Sequence, residues 1–356
     1  MAEAGDIVGI SIPFTAGVAA AALVPEGPVR YMVAPLVCSA VCAAFATFCL
    51  KGTRKAAAAV LFFCIGALGM LTREMAGGSS GGQPQWASGA MKSFCALIDS
   101  IEFDGGQTGA LVKALLTGRK DSLTAETVQL FRASGGAHIL ALSGLHLGVL
   151  YGIMTCVLAP LGNSRAASAV RSVLITASSC FYMVMTGASA SIVRAFLFIT
   201  INELARHFPG RRRAPLNVLC SALMIQLTVN PLIIRSTGFQ LSYLAMLGIF
   251  TIFPRLDGWY PESGRFDLPR KIWKSAALSL SCQVLTAPVV WLRFRTFPRY
   301  FLVTNLLALP LAELLIIASV ICIAGAAAGW CPDILKSPVD LLARTLIFCL
   351  ETVSTM

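Results

Sequence analysis

Two imidazoles and a hydroxyl, His138, His146 and Ser143, fall within nine residues, a set that could run nucleophilic catalysis if a histidine took the serine proton. No carboxylate stands close by in sequence to orient either ring, so a second reading holds: polar groups hydrogen-bonded inside a helix bundle or at a helix break. Over one helix, a spacing of eight residues sets His138 and His146 nearly on one face. Gly144 and Gly148 beside them permit close helix contact or an unwound turn.

Arg194 is the sharpest polar residue, because it interrupts an uncharged stretch over 172–193 and 195–202 with no adjacent acid. An arginine at membrane depth costs at least about 2.5 kcal/mol unless it meets water or a partner, so it is expected to point into the bundle. There it would either contact a passing anion such as phosphate, or form an ion pair with Glu203 or Glu313 that joins helices. Gln240, Ser242 and Tyr243, beside Gly238, carry amide and hydroxyl groups that glue membrane helices together as often as they line pores. Asn305 followed by Pro310 predicts a broken helix, since proline frees a carbonyl that needs another partner or a wet cavity.

The elements that must hold these residues are membrane helices. Hydrophobic residues make up 56% of the 356 and charged ones 13%, with a mean hydropathy of +0.76. Soluble domains carry roughly a quarter charged residues, so an ordinary soluble enzyme or binding module is excluded. Uncharged segments cover 7–25, 31–50, 56–71, 133–164, 172–193, 214–234, 236–254, 275–292 and 314–332, with a further stretch over 300–312. At about twenty residues per crossing, they predict an all-α polytopic bundle of about ten or eleven helices, the last from Val339. The first six residues, MAEAGD, put no basic region ahead of the first apolar stretch, which predicts a retained helix rather than a cleaved leader.

Net charge is +11, which suits nucleic-acid binding and equally suits the basic cytoplasmic loops of any membrane protein. Four basic groups are placed inside: Lys51, Arg54 and Lys55; Arg165 and Arg171; Arg206 and Arg211 to Arg213; Arg270, Lys271 and Lys274. The N-terminus is then inside and 72–136 outside, while Arg293, Arg295 and Arg299 fall outside against the rule. Most of the twelve cysteines, Cys64, Cys282 and Cys322 among them, sit inside apolar runs and read as small core residues. No Cys/His cluster at ligand spacing supports a metal site.

The outer segment opens with GGSSGGQPQ, a flexible linker. After it, Leu111, Val112, Leu115 and Leu116 recur at helical spacing with Gly118 as a stop, and a second short helix starts at the cap Thr124 and ends at Gly135 and Gly136. These are amphipathic helices lying on the membrane, or a soluble hairpin packed over the bundle.

ALLTGRKDSLTAETVQLFRASGGAHILALSGLHLGVL, over 114–150, resembles the signature of the ComEC/Rec2 competence family, an outer helix pair followed by a His-x-Leu-x-x-Ser-Gly-Leu-His core. TGASASIVRA over 186–195, NPLIIRSTGFQLSYLAMLGI over 230–249, QVLTAP over 283–288 and NLLALPL over 305–311 resemble the family's later motifs in the right order. The resemblance implies N-terminal helices over 1–71, a Gly/Ser-rich linker over 72–106 in place of the family's OB-like domain, and a channel domain over 107–356. Many members also carry a C-terminal metallo-β-lactamase-like domain proposed as a nuclease, and its HxHxDH motif does not occur in these residues.

What the resemblance implies is therefore an inner-membrane channel that passes single-stranded DNA to the cytoplasm in natural transformation, with no catalytic or metal residues and no cofactor. A separate DNA receptor, nuclease and cytoplasmic motor would be its partners by analogy, with the bilayer around it and homo-oligomer formation left open. A strand with one charge per nucleotide needs a wet path with a few cations and polar groups. Candidates for that path are Arg194, His138, Ser143, Gly144, His146, Gln240, Ser242, Asn305 and Glu313. Rival readings are a transporter of a small anionic or lipidic solute, or an intramembrane enzyme using His138, Ser143 and His146.

Overall fold

Inside hydrocarbon every backbone N–H and C=O needs an internal partner, and a run of Ala, Leu, Val and Ile satisfies that need only as helix. The computed structural model describes residues 5–24, 33–34, 36–38, 40–41, 54–75, 82–162, 164–207, 214–260, 267–295 and 300–355, and among them no strand occurs. The helices are α1 (Gly5–Ala22), α2 (Arg54–Met75), α3 (Gln85–Asp99), α4 (Thr108–Thr117), α5 (Ala125–Ala133), α6 (Gly144–Val157) and α7 (Arg165–Met185). They continue as α8 (Ala190–Arg206), α9 (Pro215–Val229), α10 (Thr237–Thr251), α11 (Phe253–Asp257), α12 (Leu268–Phe294), α13 (Phe301–Ala327) and α14 (Asp333–Ser354). Among the described residues five stretches are long and apolar enough to cross a membrane: Lys55–Met75, Gly144–Leu161, Arg165–Met185, Leu268–Phe294 and Phe301–Ala327. The chain is thus an all-α membrane helix bundle.

Apolar segments and helices do not correspond one to one. The segment 133–164 becomes membrane helix only from Gly144, and 300–312 with 314–332 forms the single helix α13, which runs through Pro310 without a break. The break expected near Asn305 is therefore corrected. Most of the expected crossing over 31–50, the cluster Arg211 to Arg213 and Arg299 lie outside the described residues.

The described members of the basic groups, among them Lys55, Arg206 and Arg270, share one end of the bundle. Arg235 reaches both the Ala22 carbonyl and Glu74 at 2.7 Å, so the C-termini of α1 and α2 meet there and the Lys55 end of α2 points away. Arg194 bonds Ser242, and four residues further along α8 Phe198 stacks on Phe250, so α8 and α10 run parallel toward Arg206 and Arg255. Ser172, near the start of α7, bonds Glu203 and His207 at that same end. Arg293 and Arg295, at the far end of α12, are the exception that the sequence pattern also shows.

Small residues allow the closest helix contacts. A Cβ on Gly17 would overlap the Phe63 carbonyl oxygen and one on Gly66 the Phe14 carbonyl oxygen, so α1 and α2 meet backbone to backbone. Gly248 of α10 meets the Ser281 carbonyl of α12 in the same way.

A second core gathers α3, α4, α5, α13 and α14, with Leu111, Val112, Leu115, Phe131, Leu315 and Leu346 buried. The predicted stop is present, with Gly118 left-handed at φ 76°, and Thr124 caps α5 by accepting from Thr127 N. The linker expected over 72–106 contains α3. Asp340 ties this core together by accepting from the backbone N–H groups of Asp104 and Gly105, each at 3.0 Å. Of the cysteines read as core, Cys64 and Cys322 are buried, whereas Cys38 and Cys156 are exposed. Cys322 Sγ lies 3.5 Å from Cys331 Sγ across the α13–α14 turn, a proximity that nine residues of separation hide in the sequence.

Candidate functional site

Ser143 sits in extended backbone ahead of α6 and caps it. Its Oγ accepts from Leu145 N at 3.2 Å, and its own N–H donates to His146 Nδ1 at 3.1 Å, which makes a reciprocal capping box with histidine in the place usually held by Glu or Gln. Ser143 Oγ also lies 3.1 Å from His146 Nδ1. A hydroxyl and an imidazole at that distance could in principle form a nucleophile and base. Capping accounts for both residues without it, and no carboxylate hydrogen-bonds the ring among the described residues.

His138 does not share a helical face with His146. It belongs to a short 3-10 turn, Gly136–His138, and non-helical residues separate it from α6. Its Nδ1 meets the Gly135 carbonyl at 3.1 Å, and the side chain of Asn305 on α13 stands beside the ring. Two residues far apart in sequence thus come together, although neither joins Ser143.

Arg194 lies one turn into α8 and is 8% exposed. Its Nε donates to Ser242 Oγ at 2.7 Å, and its guanidinium carbon lies 5.9 Å from the centroid of the Tyr243 ring, a cation–π contact. Gly144 makes room on the other side, where a Cβ would stand 3.3 Å from Arg194 Nη2 and 3.2 Å from Ala195 Cβ. The guanidinium therefore faces the first turn of α6, whose aligned peptide dipoles carry partial positive charge. Cys282 of α12 is close enough to feel the charge.

Neither acid proposed as a partner pairs with Arg194. Glu203, about two and a half turns further along α8, is 1% exposed and takes Tyr151 OH at 2.9 Å, Ser172 Oγ at 2.7 Å and Arg206 Nη1 at 3.3 Å. Glu313 is half-buried on α13, and no ion pair joins it to Arg194. The ion-pair alternative is thereby corrected: among the described residues Arg194 is a buried cation without a carboxylate.

A polar chain extends from it. Tyr243 OH donates to Gln226 Oε1 at 3.0 Å, and Gln226 Nε2 donates to the Ala190 carbonyl at 3.2 Å. Gln226 is a member that sequence reasoning passed over, although an amide inside the uncharged segment 214–234 was a signal. Gln240 stays apart and closes the turn before α10 by donating to the Ile234 carbonyl at 2.8 Å. Several buried polar atoms make no hydrogen bond among the described residues: His146 Nε2, Gln283 Nε2, Asn305 Oδ1 and Ser319 Oγ, on α6, α12 and α13. In hydrocarbon each such group costs several kcal/mol unless water or a ligand reaches it.

No solved structure matches the chain. Over 200 residues it is 25% identical to the ComE operon protein 3 of Bacillus subtilis (strain 168), an alignment that covers 56% of this chain and 24% of that relative. The chain therefore spans about a quarter of the relative's length. The model of the family described as Competence protein matches residues 115–356, which takes in α5 to α14 with Arg194, Ser242 and the orphaned polar groups, and the chain belongs to that family.

Proposed function

We propose that the chain takes part in DNA uptake during competence, and that it does so as an inner-membrane channel conducting single-stranded DNA to the cytoplasm. The observation that carries this reading is Arg194, a buried cation held by a hydroxyl and an aromatic face, with no acid to cancel it among the described residues. Such a group attracts a phosphate without gripping it by several bonds, and a strand that must slide needs that balance. Ser242, Tyr243 and the first turn of α6 around Gly144 are the surroundings a passing phosphate would meet. His146 and Gln283 supply polar atoms with free hydrogen-bonding capacity among the described residues. In this reading a separate receptor, nuclease and motor complete the system.

Uptake of labelled DNA by cells with and without the gene tests the function, and equal uptake would overturn it. In the same assay Ser143→Ala should stay within roughly a few-fold of normal, because a lost helix cap costs only about 1 kcal/mol. Complete loss at normal abundance would instead point to hydroxyl chemistry.

Orientation follows from the basic end. On a cysteine-free background, a cysteine at Ser164, just ahead of α7, should react only with reagent admitted to the cytoplasm. One at Gln83, which bonds the carbonyls at the other end of α7, should react from outside. The reverse pattern would invert the channel.

A further inference from the structure

Arg255, Trp259, Lys271, Trp273 and Lys274 gather at the basic end of the bundle, where α10 leads through α11 to α12. Trp273 Nε1 donates to the Leu256 carbonyl at 2.9 Å, which fixes its ring against the α11 turn. Trp259 stacks beside it with centroids 6.5 Å apart and planes inclined by 23°, and it is 73% exposed. Arg270 is neutralised by Asp257 at 2.7 Å. Arg255, Lys271 and Lys274 are exposed and form no ion pair among the described residues.

Tryptophan and lysine at a membrane end often serve as interfacial anchors. Two features here go further. An anchor needs one indole at the headgroup level, whereas this is a stacked pair in which a hydrogen bond holds one ring in place and the other presents its face. Arg255 on α11 and Lys271 and Lys274 on α12, exposed and in no ion pair among the described residues, share these two helices with the ring pair, and stacking surface combined with backbone neutralisation is how proteins hold single strands regardless of sequence. Position adds a third argument. Ser242, the partner of Arg194, lies nine residues before the end of α10, about 14 Å along the helix, so the parallel pair α8 and α10 leads from Arg194 to this patch.

We propose that Trp259 and Trp273, with Arg255, Lys271 and Lys274, form a sequence-tolerant binding site for single-stranded nucleic acid at the basic end of the bundle. The proposal rests on the conduit reading for its ligand, while the site itself lies beyond the membrane path. A base stacks on the open face of Trp259 and neighbouring phosphates meet the three cations. With about −0.7 per phosphate contact, the three give a logarithmic salt dependence near −2.

The test is a titration of the purified full chain, in nanodiscs of neutral lipid, with a short fluorescent oligothymidylate. Trp259→Ala should weaken binding about tenfold or more, and Trp259→Phe should restore most of it. Lys271→Gln with Lys274→Gln should make the salt slope shallower by about 1.4. Duplex of the same length should compete poorly. Unchanged affinity in Trp259→Ala overturns the site, and if that variant also loses stability in the bilayer the pair is an interfacial anchor. If titration shows no effect of Trp259 while Arg194→Ala still abolishes uptake, this site falls and the conduit stands. If the gene proves dispensable for uptake, the conduit falls and the titration still decides the site.

Discussion

Arg194→Ala should abolish DNA uptake and leave the amount of folded protein unchanged, while Arg194→Lys should keep partial uptake. Abundance is expected to hold because the variant orphans no carboxylate: Glu203 is satisfied by Tyr151, Ser172 and Arg206, and Glu313 makes no pair with Arg194. Removing a lone cation from membrane depth removes a cost of at least about 2.5 kcal/mol, which offsets the lost hydrogen bond to Ser242 and the lost contact with Tyr243. Lysine keeps the charge but loses the planar fork, so it should serve partly. Uptake of labelled DNA and immunoblots of membranes give the two readouts. Loss of protein in Arg194→Ala, restored by adding Glu203→Gln or Glu313→Gln, would tie the arginine to an acid and end its role in the conduit.

Gly248→Ala should lower folded protein several-fold, whereas Gly152→Ala should not change it. A methyl on Gly248 would overlap the Ser281 carbonyl oxygen and stand 2.9 Å from the carbonyl carbon, and backbone cannot rotate aside as a side chain can. Overpacking of this kind costs about 1–3 kcal/mol or more, enough to change cellular abundance several-fold. Gly152, on α6, has nothing within 4 Å of a Cβ and is the matched control. Size-exclusion profiles of tagged protein distinguish the two, and equal profiles would show that α10 and α12 separate freely. Forcing them apart should also move Cys282 away from Arg194.

Much of the bundle was readable because hydrocarbon imposes helix on any apolar run of sufficient length. Arg194 was readable for a related reason, since a charge inside such a run needs a local explanation. What could not be read was pairing between helices. Glu203 and Arg194 share α8, and only the placement of Tyr151, Ser172 and Arg206 shows that the acid is spoken for. Pro310 misled because proline is tolerated inside a membrane helix when neighbours re-satisfy the freed carbonyl. His146 hid its capping role, since the usual signature has Glu or Gln three residues after the serine.

The concentration of basic groups at one end bears on direction. A polyanion near Arg194 meets a single buried cation, and one that has advanced toward Arg255, Lys271 and Lys274 meets three exposed ones. Its electrostatic energy would then fall as it moves that way, so random thermal steps toward the basic end are reversed less often than steps away from it. Such a bias rectifies diffusion over a short distance without fuel. It also means that the costly step is departure from the basic end, and that is where a motor's pull would matter most.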